Sequence, residues 1–269
     1  MPVSRRAPLT LAVAVILAAT APPARAQDAS DFSAEEVSAA ILNPAAYSLD
    51  ELSVKIEKIG PTVTPTDIPA PSDGGGEDGL VIIDRIINIF NKIWTIVEKN
   101  KPVVDVRTTY AAAVPEGIKH WGSLEGWKPP KGTIYQLTAT NKYGGKVIDV
   151  RYQVLRTYGG QYKGKGRYLT AVTVEPLKVD VSWGFKFTMV AEVPDSGIIN
   201  VGTTENPNAG MMTTLRWQIQ SPLQDSGGKG VYFLQGDGLF LEVGGPFDRR
   251  TGGAAKAAEA GLRAVSPGR

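Results

Sequence analysis

This sequence predicts a mainly β chain: an antiparallel β-sandwich or partly closed barrel, preceded by one long amphipathic α-helix and by short N-terminal helices. Three observations carry the prediction. From residue 103 to 243 apolar side chains recur at every second position, the period of a half-buried strand. Turn sequences (NKYGG, PDSG, ENPNAG, DSGG and GDG) break that region into short runs. Between residues 80 and 101 the polar positions instead recur every seven residues, which fits a helix.

The elements follow in chain order. Arg5 and Arg6, an apolar run over 7–21 and the small-residue pattern Ala24-Arg25-Ala26 form a secretory signal, with cleavage expected after Ala26 and a secreted or periplasmic destination. The apolar run is too short for a stable membrane span. Residues 27–59 form an acidic segment with two capping-box spacings, Ser33 with Glu36 and Ser48 with Glu51, and so predict short helices. Residues 60–79 are rich in Pro, Gly and Asp, have little to bury, and predict a flexible linker. Charge is uneven. Residues 27–79 hold eleven carboxylates against Lys55 and Lys58, whereas residues 142–167 hold seven cations against Asp149.

In residues 80–101, Asp84, Asn91 and Glu98, Arg85 and Lys92, and Asn88 and Thr95 gather on one stripe of a helix. The apolar remainder, with Ile86, Phe90, Ile93, Trp94 and Val97 at its centre, is wider than a surface helix needs. Such a helix would cover the sheet, form a homo-oligomer seam, or enter a membrane. The charges oppose a lone transmembrane span.

Strands are predicted within a 102–243 domain over 103–113, 133–140, 146–158, 167–175, 177–193, 197–203, 211–220, 229–235 and 238–243. The alternation is cleanest over 177–193, where Trp183 falls on the apolar phase and Gly184 marks a bend. Residues 244–269 have no core pattern and predict a disordered tail.

Composition excludes several chemistries. There is no cysteine and a single histidine, His120, so a Cys nucleophile or a zinc site built from Cys and His is ruled out. His120 lies beside Trp121 and reads as a packing residue, so no catalytic residue, metal or cofactor is predicted. Paired carboxylates would suffice for a glycoside hydrolase. Of the acids in the strand region, Glu175, Asp180, Glu192, Asp237 and Glu242, most fall on the polar phase of a wet sheet face.

The stretch YGGQYKGKGRYL, residues 158–169, interleaves aromatics with cations. It lacks the third glycine of a dinucleotide loop and the GK[ST] ending of a P-loop. It reads as a hairpin connection presenting Tyr158, Tyr162, Lys163, Lys165, Arg167 and Tyr168 to a polyanion, an acidic glycan or a membrane surface. Nucleic acid is not an expected partner of an exported chain. A wide amphipathic helix ahead of a sandwich with exposed aromatics resembles the layout of actinoporin-type pore-formers, which implies membrane activity through the 80–100 helix. The principal expectation is an exported, non-enzymatic binding or structural module. The alternatives are that membrane-active reading and a carbohydrate-acting enzyme with paired carboxylates.

Overall fold

The computed structural model describes residues 32–60, 80–103 and 110–247. The expected signal segment 1–26, linker residues 61–79 and tail residues 248–269 lie outside the described residues, as do 27–31 and 104–109.

The expected sandwich is present. One helix, α1 (Ala34–Leu42), precedes β1 (Leu49–Gly60), β2 (Ile82–Asn88), β3 (Ile93–Glu98), β4 (Lys101–Pro102), β5 (Ala111–Glu116), β6 (Lys131–Asn141), β7 (Lys146–Tyr162), β8 (Lys165–Val181), β9 (Lys186–Glu192), β10 (Ile198–Asn200), β11 (Ala209–Gln220), β12 (Asp225–Gln235) and β13 (Phe240–Gly244). All pair antiparallel, in two sheets ordered β1-β6-β7-β8-β5-β2 and β13-β12-β11-β9-β3-β4, with β10 on β11. One sheet is curled into a half-barrel. The sheets also meet at their margins. Ile56 N donates to Pro246 O (2.8 Å), and Asn200 Nδ2 on β10 donates to Asp84 O on β2 (3.4 Å).

Alternation builds the core. Tyr135, Leu137 and Ala139 of β6 and Ile148, Val150, Tyr152 and Val154 of β7 face Phe187 and Met189 of β9, Leu215 of β11 and Tyr232 and Leu234 of β12, all buried. Removing such side chains from water is the dominant stabilisation available to a chain without disulfides. The outer face of the first sheet is polar. Asp149 accepts from Gln136 and lies 3.4 Å from Lys178 Nζ and 3.6 Å from Lys146 Nζ. Those partners hold its carboxyl below the usual carboxylate range despite the opposing effect of burial.

At the N-terminus, the first capping box forms as expected. Glu36 N donates to Ser33 Oγ (3.2 Å) and Ser33 N donates to Glu36 Oε2 (2.8 Å). The second does not. Ser48 Oγ donates to Pro44 O, and Leu49 begins β1 opposite Asn141. Burial of Leu49, Val54 and Ile56 against β6 outweighs a local signature that a lone helix turn would need.

The long helix expected over 80–101 is corrected. The segment forms β2 in one sheet and β3 in the other, and Ile89–Lys92 crosses between them. Its Ile and Val side chains are β-branched and stiff, which favours a pleated surface. The polar residues do not form one stripe. Arg85 pairs with Glu116 (2.9 Å) and Lys92 with Asp195 (2.6 Å), and Asn88 Oδ1 accepts from Phe90 N and Ala112 N. Trp94 and Val97 lie in the sandwich's own core, Ile86 and Phe90 are half-buried, and Ile93 is 64% exposed. The oligomer seam and the membrane-entering face assigned to these five residues therefore lose their element, and with it goes the likeness to a pore-former's layout. Among the described residues no helix is long and apolar enough to cross a membrane.

The single strand expected over 177–193 is two. β8 ends at Val181, a turn over 182–185 follows, and β9 begins at Lys186. Trp183 sits in that turn, 55% exposed, edge-on to Tyr47 at 5.9 Å. The apolar phase is right from Phe185 onward, because Phe185, Phe187, Met189, Ala191 and Val193 are buried.

Candidate functional site

β7 outruns β6. Lys131, the first residue of β6, lies opposite Arg156, so residues 158–162 project beyond it. The segment 125–128 takes over as their neighbour. Glu125 N donates to Gln161 O (2.9 Å), Gln161 N to Glu125 O (2.8 Å) and Lys128 N to Tyr158 O (2.9 Å). On the other side β8 completes the hairpin, with Tyr162 opposite Lys165. The connection expected over 158–169 thus shrinks to Lys163 and Gly164. Both have positive φ (49° and 73°), the condition for a type I′ turn.

Close packing sets the surface around this tip. A Cβ on Gly160 would lie 2.4 Å from Trp127, so the indole rests directly on the strand's backbone, a contact only glycine permits. Trp121 stands edge-on to Trp127 at 6.0 Å. The Tyr158 ring packs on Gly238 in the β12–β13 turn, with Lys131 Nζ 5.0 Å above it, and Lys163 Nζ lies 5.2 Å from the Tyr162 ring. Trp121, Trp127, Tyr158 and Tyr162 are half-buried, presenting ring surface without projecting.

Lys128, Lys131, Lys163, Lys165 and Arg167 are all exposed around these rings. None of the five pairs with a carboxylate among the described residues. Elsewhere Lys55 pairs with Glu57, Arg85 with Glu116, Lys92 with Asp195, Lys178 with Asp180 and Arg216 with Glu192, while Lys58, Lys142 and Arg151 also have no carboxylate partner among the described residues; what sets the five apart is their gathering around the rings. Two acids lie nearby, and neither pairs with these cations. Asp237 accepts from Asn208 Nδ2 and Leu239 N, and Glu125 sits in the backbone ladder with Gln161.

Of the six residues expected here, Tyr158, Tyr162, Lys163, Lys165 and Arg167 share this end of the sandwich. Tyr168 is corrected. It is fully buried, donates its hydroxyl to Ile83 O (2.7 Å), and has its phenol held well above the usual range, chiefly by burial. The bulges of the β7–β8 ladder between Tyr158 and Tyr162 shift the register and turn Tyr168 inward. Trp121, Trp127, Lys128 and Lys131 join the surface without having been singled out by sequence. They carry the same aromatic–cation interleaving, but a Gly- and Pro-rich loop has no periodicity to place it.

The carboxylates weighed for hydrolysis are dispersed into separate local pairs. Glu175 accepts from Gln153 (2.7 Å), Asp180 pairs with Lys178 (2.5 Å), Glu192 pairs with Arg216 (2.7 Å), and Glu242 accepts from Tyr135 Oη (2.8 Å). His120 Nδ1 accepts from Gly122 N (3.2 Å) and caps the short turn Trp121–Ser123. Among the described residues no three His, Asp or Glu side chains converge as metal ligands would.

No protein-family model matches this chain, and no curated protein or solved structure is significantly similar to it.

Proposed function

We propose that the protein is an exported β-sandwich binding module that holds acidic polysaccharide on the β7–β8 end of the sandwich. The observation that carries this reading is the group of five exposed cations, without carboxylate partners among the described residues, gathered around half-buried Trp127, Tyr158 and Tyr162. Sugar rings stack on flat aromatic surface, and lysines beside the rings neutralise acid groups. Export rests on the signal pattern in residues 1–26. A glycan is preferred to a membrane because the aromatics at this end are sunk into the surface. Four strongly exposed apolar side chains, Leu42, Leu52, Tyr143 and Trp183, belong to the opposite end, beside α1, whereas Leu80 lies against Gly117 beyond β5.

The test is retention of the mature chain on a polyuronate matrix and on neutral dextran at low salt. Binding should be confined to the polyuronate. It should weaken as the Debye length shortens from ~30 Å at ~0.01 M to ~3 Å at ~1 M. Replacing Lys163, Lys165 and Arg167 together with Ala should cost roughly 3 kcal/mol of binding, taking about 1 kcal/mol per cation near an anionic surface. The melting temperature should hardly move. Equal retention on dextran, or indifference to the triple substitution, would overturn the reading.

A further inference from the structure

The β7–β8 end also contains a cation that is not on the surface. Arg156 is 7% exposed. Its guanidinium carbon lies 4.1 Å from the Phe240 ring centroid, so its flat face is held by the ring. Nη1 donates to Thr133 Oγ1 (3.3 Å), a weak neutral contact, and Nε is buried with no acceptor among the described residues. Glu242 on β13 accepts from Tyr135, and no ion pair joins any carboxylate of the described residues to Arg156. Tyr135 cannot supply the charge, because burial and Glu242 hold its phenol far above the usual range. Directly across the ladder stands a second cation, Lys131, whose ammonium is satisfied by the Tyr158 ring and by no carboxylate.

Two like charges opposed on one face of a ladder, one of them almost wholly desolvated, are an unfavourable arrangement unless an anion joins them. The donors match one. A guanidinium resting on a ring directs its N–H edge away from that ring, the donor arrangement that the two oxygens of a carboxylate or sulfate group take, and Lys131 adds a point charge beside it. Burial already pushes the Arg156 pKa down, which an anion would reverse.

We propose that Arg156 and Lys131, with Thr133 and Tyr158 at the rim, form a subsite for a single oxyanion, the carboxylate or sulfate ester of an acidic sugar. It deepens the acidic-glycan reading above and supplies the selectivity that a diffuse surface field lacks: a fixed donor geometry for one acid group, beside rings that take the sugar.

The experiment is NMR observation of the Arg156 Nε–Hε resonance in the mature chain during titration with glucuronate, glucose 6-sulfate or glucose. The acidic sugars should move that resonance saturably and glucose should not; a response to only one of the two names which acid group the subsite takes. Arg156→Lys and Arg156→Met should both weaken polyuronate binding at least about tenfold, as expected for a lost charge-assisted hydrogen-bond pair. Arg156→Met replaces an unpaired buried charge with an apolar side chain, so its melting temperature should be unchanged or raised, which keeps the loss of binding interpretable. The Lys163, Lys165 and Arg167 triple variant should lose polymer affinity yet keep the monosaccharide response. A wild-type chain that binds polyuronate while the Arg156 resonance ignores every sugar sinks the subsite and leaves the surface reading standing. A saturable Arg156 response without polymer binding does the reverse.

Discussion

Tyr152 of β7 and Tyr232 of β12 share a hydroxyl–hydroxyl hydrogen bond of 2.7 Å across the interior of the sandwich, both fully buried. It is one of the few polar links between the two sheets, and Tyr135 packs against both rings, at 5.6 and 5.1 Å. Removing either hydroxyl leaves the other without its partner in a dry site. Tyr152→Phe and Tyr232→Phe should each cost about 1–3 kcal/mol, and the double variant should cost less than their sum by about 1 kcal/mol. Urea melts of the four-member cycle would show this. Strict additivity would mean that the hydroxyls do not interact.

The same burial predicts a steep alkaline limit. The phenols of Tyr135, Tyr152, Tyr168 and Tyr232 are all held above their ordinary value near 10, first of all by desolvation. A raised folded pKa means that the folded state keeps a proton that the unfolded chain releases. The stabilisation is therefore complete below pH ~10 and is lost as pH rises beyond it. Each tyrosine contributes about 1.4 kcal/mol per pH unit, and the four together about 5. Set against an ordinary domain stability of about 5–15 kcal/mol, this places unfolding between about pH 11 and 13. Tyrosine ionisation followed by near-UV absorbance should then rise in one cooperative step with the loss of far-UV circular dichroism. Ionisation of these four in a chain that stays folded would refute the prediction.

The turn between β8 and β9 makes opposite predictions for two neighbouring aromatics. Phe187 has no exposed surface, whereas Trp183 is 55% exposed. Phe187→Ala should cost about 3–5 kcal/mol. Trp183→Ala removes a largely exposed side chain that stands edge-on to Tyr47 and should cost under about 1 kcal/mol. Comparable shifts in chemical denaturation would restore one continuous strand with Trp183 in the core.

Residues 80–101 can be tested as strands in the same way. On a helix Ile93 and Ile96 would share a face. In the sandwich Ile93 is 64% exposed and Ile96 is 1% exposed. Ile96→Ala should cost about 2–5 kcal/mol and Ile93→Ala well under 1. Equal costs, or amide-exchange protection continuous through Ile89–Lys92, would favour a helix after all.

By itself the sequence determined the fold class, because a period of two is a local property that survives in any antiparallel sheet. The runs behind β6, β7, β8, β11 and β12 carry that period, and the Lys163–Gly164 turn lies within the predicted hairpin. The first capping box was likewise legible, since it involves only Ser33 and Glu36. Tertiary structure alone decided the rest. Residues 80–101 hold two strands in different sheets, and their summed pattern imitates a helical period; only pairing with β5 and β9 separates them. Trp183 kept the apolar phase of its neighbours but fell in a turn that nothing in the alternation revealed. The candidate site is the clearest case. Lys163, Lys165 and Arg167 are adjacent in sequence, whereas Trp127, Lys128 and Lys131 reach them because β7 is longer than β6 and needs another neighbour. Arg156 looked like one more strand cation. Its burial over Phe240 depends on how β13 crosses the opposite sheet, and a contact between residues so distant along the chain leaves no trace in the local pattern.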